Sequence, residues 1–471
     1  MNLGALTGGD ERAPVTGFAI DHRKVAPGTV FGAFRGARFN GEDYIGAAIG
    51  SGAVAVVSRP QTEVAGAVHI AASEPRREFA RLAAKFFQPF PDVIAAVTGT
   101  NGKTSSVELV RQLWRMAGHP SASIGTLGVT TSDDQVTTGL TTPDIVTFLS
   151  NMAGLERMGI THAAFEASSH GLSQYRTEGL KVRAAAFTNL TRDHLDYHET
   201  MEAYFEAKMR LFEEVLAPGA SAVVWADDPK SGEVIARCLA RGLEVISVGE
   251  KGETLRLLKR ETTQLGQKLT IEAGGKVHVV TLALIGAYQA ANALIAAGLA
   301  IATGGALAET LANLARVHPV RGRLERAVMT RAGAPVYVDY AHTPDAVEAA
   351  CLALRPHARD RLIIVFGAGG DRDIGKRALM GAVAARLADK VIVTDDNPRG
   401  EDPAAIRKHI LEGAPGATEI AGRREAIRAA IGEAGPGDLI LLAGKGHEQG
   451  QILGDRILPF DDVTVAREEA A

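Results

Sequence analysis

Short apolar runs alternate along the chain with stretches whose apolar residues recur at helical spacing. Strand-length runs fall at Ala53-Val54-Ala55-Val56-Val57, Val93-Ile94-Ala95-Ala96-Val97, Ala163-Ala164-Phe165-Glu166, Ala184-Ala185-Ala186-Phe187 and Ala222-Val223-Val224-Trp225. A later set comprises Val336-Tyr337-Val338-Asp339, Leu362-Ile363-Ile364-Val365-Phe366, Val391-Ile392-Val393-Thr394 and Leu439-Ile440-Leu441-Leu442. Helical patterns lie between them, near Ile45 to Ile49, Glu74 to Phe87, Ser105 to Ala117 and Gln289 to Ala302. Such alternation predicts largely parallel sheets. In open α/β sheets, ligands bind beyond the carboxyl ends of the strands. The later strands each run into a polar or Gly-rich turn, so those turns are candidate binding loops.

Breaks in the pattern divide the chain. The Glu74 to Phe87 helix runs into Gln88-Pro89-Phe90-Pro91, where two prolines resist further helix. A first domain is therefore expected over 1–89 and a second over 90–319. A third, 320–471, opens at Val320-Arg321-Gly322-Arg323. Short β-rich runs within 244–282 predict a small side sheet in the second domain.

Composition narrows the function classes. The 471 residues are 46% hydrophobic and 23% charged, which excludes a disordered or fibrous chain. Net charge is −4, so no basic field favours nucleic acid or a membrane surface. The two cysteines, Cys238 and Cys351, are far apart, excluding a disulfide scaffold and fitting a reducing compartment. The Met1-Asn2-Leu3-Gly4 start lacks a secretory pattern. The most apolar stretch, Ala290 to Ala302, is too short to span a bilayer. A cytoplasmic location is expected.

The strongest chemical signal is a strand, then Gly99-Thr100-Asn101-Gly102-Lys103-Thr104, then a helix. Glycines let the backbone wrap a phosphate chain, and the helix start adds partial positive charge. Lys103 would neutralise the β/γ-phosphates and Thr104 would offer its hydroxyl to Mg²⁺. The usual spacing of such loops asks for Gly where Val97 stands. The fold class expected is thus α/β in three domains. These are a small α/β N-terminal domain, a central P-loop-type mostly parallel sheet with a small side sheet, and a Rossmann-like C-terminal domain.

Several motifs in one order carry a resemblance. Residues 99–104 resemble the phosphate loop of the Mur ligase superfamily, ATP-dependent amide-bond-forming enzymes that include folylpolyglutamate synthases. Glu166-Ala167-Ser168-Ser169-His170-Gly171-Leu172 resembles the segment with a metal-binding Glu. Thr188-Asn189-Leu190-Thr191-Arg192-Asp193-His194 resembles the segment with a metal-binding His, and Tyr204 to Phe212 the helix with a carbamylated lysine. Asp339-Tyr340-Ala341-His342-Thr343-Pro344 and Gly444-Lys445-Gly446-His447-Glu448 complete the set. The likeness covers nearly the whole chain and fits the MurE type best.

The resemblance implies ATP and Mg²⁺, with Lys103, Glu166, His194 and Lys208 as the catalytic group. Thr104, Glu166, His194 and a carbamate on Lys208 would serve as metal ligands. Glu166 and His194 each follow a candidate strand, so both can reach the edge that carries the loop. The nucleotide is expected on Gly99, Thr100, Asn101, Gly102, Lys103 and Thr104, with Asn292, Arg323 and Asp339. Lys103 and Arg323 lie in different domains, so closure of the third domain on the second is expected around one ATP. Gln289 stands where the family usually has Asn, and Asp21-His22-Arg23 where it has Asp-Ser-Arg. The Gly36 to Gly41 turn fits the family loosely. Thr141, Thr142, Ser168, Gln174 and Arg176 match contacts to the peptide and sugar-phosphate portion of a UDP-sugar substrate.

Asp396-Asn397-Pro398-Arg399 follows a strand, where a ligand loop belongs. By resemblance it marks enzymes that add meso-diaminopimelate, whose second amino-acid head a guanidinium can hold bidentately. Arg372, Gly444 and Glu448 would complete that site. The activity implied is ATP-dependent addition of the diamine to UDP-N-acetylmuramoyl-L-alanyl-D-glutamate through an acyl phosphate. A lysine-adding enzyme, a folylpolyglutamate synthase and a nucleotide-binding relative without turnover are the alternatives. A Rossmann dehydrogenase is disfavoured because the third glycine of its pattern falls on Arg372. Small-molecule substrates, no nucleic acid, no membrane and a monomer are expected.

Overall fold

The run at residue 93 folds as strand Val93–Thr98 in the middle of the largest sheet. This is a computed structural model, which describes residues 1–36, 39–132, 134–136, 140–263 and 266–471. Strands His162–Glu166 and Val182–Phe187 flank the central one, both parallel to it. Ser121–Gly125 lies outside the first, and Leu216–Trp225 then Glu244–Gly249 outside the second, again parallel. Alternation along the central strand sorts its side chains by face. Ile94 and Ala96 join a core with Phe148, Leu149 and Phe205, while Ala95 and Val97 join Val110, Leu113 and Leu294. The helices Lys103–Met116 and Ala287–Ala302 cover that second face. Alanines at 95, 163, 164 and 184–186 are fully buried in this sheet.

The predicted side sheet is a continuation of this main sheet. Leu255–Thr263, Gly266–Ala273 and Lys276–Leu282 pair antiparallel with one another. They join Glu244–Gly249 through two residue pairs, Val248 with Leu255 and Gly249 with Arg256. The opposite edge carries the short antiparallel strands Gly128–Thr130 and Gln135–Val136.

The amino-terminal sheet has strands Gly17–Ala19, Thr29–Gly32, Ala53–Ser58 and Val68–Ala71, all parallel and in chain order. Helix Pro75–Phe87 closes it with an aromatic cluster, Phe79 lying edge-on to Phe18 at 5.3 Å and to Phe34 at 5.4 Å. In the Gly36 to Gly41 turn, Ala37 and Arg38 lie outside the described residues.

The carboxyl-terminal sheet runs Pro335–Asp339, Leu439–Ala443, Leu362–Phe366, Lys390–Val393, Thr418–Glu419, all parallel, with Arg323–Met329 antiparallel on its edge. Because Leu362–Phe366 and Lys390–Val393 are neighbours, the loops leaving their carboxyl ends lie side by side. Among the described residues, no helix is long and apolar enough to cross a membrane.

Candidate active site

The loop 99–104 is a turn that only glycine permits at two points. Gly99 has φ +145° and Gly102 φ +87°. A Cβ on Gly99 would sit 1.8 Å from Thr188 Oγ1, and one on Gly102 would sit 2.3 Å from Asn292 Oδ1. Gly102 precedes helix Lys103–Met116 and supplies no side-chain cap, so the site fits an anion at the helix start. The adjacent strand's loop braces the turn. Asn189 Oδ1 accepts from Asn101 N at 2.9 Å, Thr188 Oγ1 donates to Asn101 O at 2.6 Å, and Thr191 N donates to Thr100 Oγ1 at 2.9 Å.

Two lysines converge here. Lys103 Nζ donates to Gly99 O at 2.9 Å and to Thr100 O at 2.7 Å. Lys208, on helix Met201–Arg210, is 1% exposed, donates to the same Gly99 O at 2.8 Å and lies 4.2 Å over the Tyr204 ring. Among the described residues neither ammonium has a carboxylate within ion-pair distance. Burial, then the Lys103 charge, pushes Lys208 well below the usual lysine range, with Asp193 opposing. Burial also lowers Lys103, against the attraction of Glu166 and Asp193.

Glu166 ends its strand and is 2% exposed; its Oε1 accepts from Thr126 N at 2.7 Å and its Oε2 from Thr126 Oγ1 at 3.1 Å. His194 has φ +56°, with Nε2 3.6 Å from Asp193 Oδ2 and its ring edge-on to His170 at 4.9 Å. Burial lowers it to about 4, so its imidazole is neutral at pH 7. Among the described residues no three His, Cys, Asp or Glu side chains form a metal-holding group. Thr104 and Glu166 offer oxygens of the hard kind that Mg²⁺ prefers, an ion that usually keeps waters and phosphate oxygens among its ligands; here those oxygens accept from Arg323 and Thr126.

The third sheet reaches this loop directly. Arg323 Nη2 donates to Thr104 Oγ1 at 2.9 Å, its guanidinium lies 4.6 Å over Tyr340, and its buried Nε has no hydrogen-bond partner among the described residues. Asp339 accepts from Leu324 N at 2.7 Å and from Tyr288 Oη at 3.3 Å. Asn292 Nδ2 donates to Gln289 Oε1 at 3.2 Å, and Gln289 Nε2 donates to Arg323 O at 3.1 Å. The glutamine thus ties helix Ala287–Ala302 to the start of the third sheet, while Asn292 faces the phosphate loop.

The five residues expected on the sugar-peptide side form one connected group beside Glu166. Thr141 Oγ1 is 3.1 Å from Thr126 Oγ1, and Thr142 Oγ1 donates to Glu166 O at 2.7 Å and lies 2.9 Å from Ser168 Oγ. Arg176 donates to Thr142 O at 2.9 Å and to Gln174 Oε1 at 2.7 Å. His22 stacks on Tyr44 at 4.3 Å, while Asp21 accepts from Arg23.

At the third sheet's carboxyl edge, Asn397 links two loops. Its Nδ2 donates to Glu448 Oε2 at 2.7 Å, and its Oδ1 accepts from Lys445 Nζ at 2.9 Å and Ile452 N at 3.0 Å. Arg399 has φ +54° and donates through Nη1 to Gly370 O at 2.8 Å. Pro398 is buried. Gly444 has φ +109°, and a Cβ there would meet Asp396 Oδ2 at 3.2 Å. Burial and the Asp396 charge raise Glu448 above the usual carboxylate range. Arg372 is exposed, and the hydrogen bond of its guanidinium goes to Asp371 O at 3.4 Å.

Comparison with known proteins matches the same three regions. Residues 14–96 match the Mur ligase family, catalytic domain; 97–300 the Mur ligase middle domain; and 322–446 the Mur ligase, glutamate ligase domain. A UDP-N-acetylmuramoyl-L-alanyl-D-glutamate--2,6-diaminopimelate ligase of Zymomonas mobilis is 60% identical over 97% of this chain and 94% of its own. The chain belongs to the Mur ligase family. A Bradyrhizobium diazoefficiens protein of the same name is 52% identical over 95% of this chain and 93% of its own. A solved structure of that ligase type superposes with TM-score 0.74 at 32% identity, covering 100% of this chain and 98% of its own. A MurF ligase from Thermotoga maritima in complex with ADP shares the fold, with TM-score 0.63 at 19% identity over 91% of this chain and 94% of its own.

Within this Mur ligase framework, some contributors carry no separate signal in the sequence. Thr126 orients Glu166, and Asn189 braces the loop, yet each is one polar residue among many until strands 162–166 and 182–187 flank the loop. Lys445 is 0% exposed and lies 3.3 Å from Asp396 and 3.6 Å from Glu448. It stands inside a motif, but its burial between two carboxylates is a tertiary fact.

Asp339 gives a pH prediction. Burial raises it from 3.8 to about 6, with Arg323 opposing. Above the folded value the native state holds a poorly solvated carboxylate, so the group costs native stability there. The cost grows as pH rises from the unfolded to the folded value and is absent below both. Asp339→Asn is therefore expected to raise the melting midpoint by about 2–4 °C at pH 8 and to leave it unchanged below pH 4. Thermal scans at both pH values check this; an equal shift at each would contradict it.

Proposed function

We propose that this chain is the ATP-dependent ligase that joins meso-2,6-diaminopimelate to UDP-N-acetylmuramoyl-L-alanyl-D-glutamate during peptidoglycan precursor synthesis. The observation that carries the reading is the paired turns at 369–372 and 396–399 with Glu448 beside them. They set two guanidiniums and a carboxylate at the edge of the third sheet, in a chain whose relatives bear that activity in their names.

The chemistry follows from the donors present. A carboxylate is a poor acyl donor, and the γ-phosphoryl group of ATP converts it to an acyl phosphate, which the incoming amine displaces. Negative charge accumulates in both steps, so fixed positive charge near the loop lowers both barriers. Lys103, on Gly99 O, and Arg323, on Thr104 Oγ1, supply that charge. Bound Mg²⁺ would neutralise phosphate oxygens, held by Thr104, Glu166 and His194. Thr141, Thr142, Ser168, Gln174 and Arg176 orient the sugar-peptide carboxylate beside Glu166. Asp396, Asn397, Arg399, Arg372, Gly444 and Glu448 hold the diamine. Asn292 and Asp339 complete the nucleotide's surroundings.

Lys208 takes a carbamate in this reading. Its neutral amine adds to CO₂, forming an N–C bond and releasing one proton, and the resulting anion relieves the repulsion with Lys103. Activity is expected to fall at least tenfold in CO₂-free buffer and to return with bicarbonate. Intact mass should show one added CO₂, absent from Lys208→Arg. Full activity with an unmodified mass would contradict it. Domains over 1–89, 90–319 and 320–471 with a monomeric, cytoplasmic protein are part of the same proposal.

Phosphate release with each substrate omitted in turn tests the function. Turnover should require ATP, the nucleotide-sugar dipeptide and the diamine together. Equal turnover with L-lysine, or release with ATP alone, would overturn the assignment.

A further inference from the structure

The turns that carry Arg372 and Arg399 are both strained. Asp371 has φ +53° and Arg399 φ +54°, in the left-handed region that side chains with a Cβ seldom occupy. Strain of this kind persists only where the surroundings over-determine it. Here the two turns are laced together. Arg399 Nη1 donates to Gly370 O at 2.8 Å, Gly370 N to Asn397 O at 2.9 Å, and Gly400 N to Asp371 Oδ2 at 3.1 Å.

Behind the lacing lies an ion pair that no sequence motif singled out. Arg377, 0% exposed on helix Gly375–Leu387, donates through Nη1 to Glu401 Oε2 at 2.9 Å and through Nη2 to Glu401 Oε1 at 2.8 Å. Its Nη2 also reaches Gly369 O at 3.3 Å, and Nη1 lies 3.2 Å from His409 Nδ1. Glu401 Oε1 in turn accepts from Asp371 N. One carboxylate therefore grips the first turn through Asp371 and lies two residues beyond the second, and one guanidinium anchors both to the helix. The bidentate geometry fixes direction as well as distance.

We propose that Arg377 and Glu401 are positioning residues for amino-acid selection, clasping the two turns so that the Arg372 and Arg399 guanidiniums are held at the spacing of a doubly headed dicarboxylate. This rests on the function proposed above. Neither residue touches the diamine. Their ion pair keeps each arginine-bearing turn in its strained conformation, and a misplacement of about 1 Å can cost about a hundredfold in rate. Selectivity between the diamine and L-lysine then depends on a pair lying behind the contact surface.

Glu401 is the residue to change, because it is 27% exposed whereas removing Arg377 would open a fully buried site. Glu401→Ala is expected to raise KM for meso-diaminopimelate about tenfold or more, with KM for ATP and for the nucleotide-sugar dipeptide within about twofold. Glu401→Gln keeps one acceptor oxygen for these donors, loses the other and the charge, and should recover part of the loss. In an Arg399→Ala background, Glu401→Ala should have a smaller effect on diamine KM than in the wild type, because the Arg399 part of the placement is already gone and only the Arg372 part remains to be lost. The inference is overturned by an unchanged diamine KM, by a uniform loss across all three substrates, or by full additivity with Arg399→Ala. A wild-type protein that makes no phosphate with the diamine would instead refute the function on which this rests.

Discussion

Lys103→Met is expected to lower kcat about a thousandfold, equivalent to about 4 kcal/mol in the barrier. The methionine keeps the stem and removes the charge. In the present structure the ammonium spans Gly99 O and Thr100 O, so it sits within the turn that the triphosphate would enter. Single-turnover measurement separates the chemical step from binding, and the loss should appear there as well as in KM for ATP. A second consequence follows from the shared Gly99 carbonyl. The Lys103 charge is one cause of the lowered Lys208 pKa, so its removal should move Lys208 back toward the ordinary lysine range. Titration of Lys208 reactivity in Lys103→Met should shift to higher pH. A variant with near-normal kcat would mean that phosphate charge is neutralised elsewhere, and the reading of residues 99–104 would fail.

Arg399→Ala carries the second large effect. The kcat/KM for meso-diaminopimelate is expected to fall by about 10²–10³, while the low value for L-lysine changes by less than about threefold. The asymmetry arises because only the diamine has a second carboxylate for the guanidinium. Arg399 also occupies φ +54°, so Ala inherits the strain and Gly does not. Arg399→Gly should therefore lose the same selectivity yet be more stable than Arg399→Ala by about 1 kcal/mol. Competition assays with both amino acids, with melting curves for both variants, check the two halves separately. An unchanged diamine KM would remove Arg399 from the site.

Much of the candidate site was legible because its signals are local. The loop at 99–104 declares itself by glycine spacing between a strand and a helix, and each glycine proves necessary where a Cβ would strike Thr188 or Asn292. The runs at 93, 163, 184, 362, 391 and 439 all became strands, since continuous apolar runs of that length bury both faces of a parallel sheet. The amino-terminal sheet was less legible. Gly17–Ala19, Thr29–Gly32 and Val68–Ala71 are three or four residues long and gain their stability from neighbours, not from pattern. The segment 244–282 was correctly β-rich, but the attachment of residues 255–282 to strand Glu244–Gly249 rests on two residue pairs that no periodicity encodes.

What the sequence determined by itself was the parallel architecture, the phosphate turn and the chemical types gathered in each motif, because hydrophobic period and glycine placement act within a few residues. Tertiary structure alone decided the rest. It put Lys208 and Lys103 on one carbonyl, brought Arg323 to Thr104, and clasped residue 371 to residue 401. Those outcomes depend on which strands become neighbours and on how much water is excluded between them. Charge repulsion, desolvation and loop placement are properties of that shared space, and a linear pattern contains no measure of it.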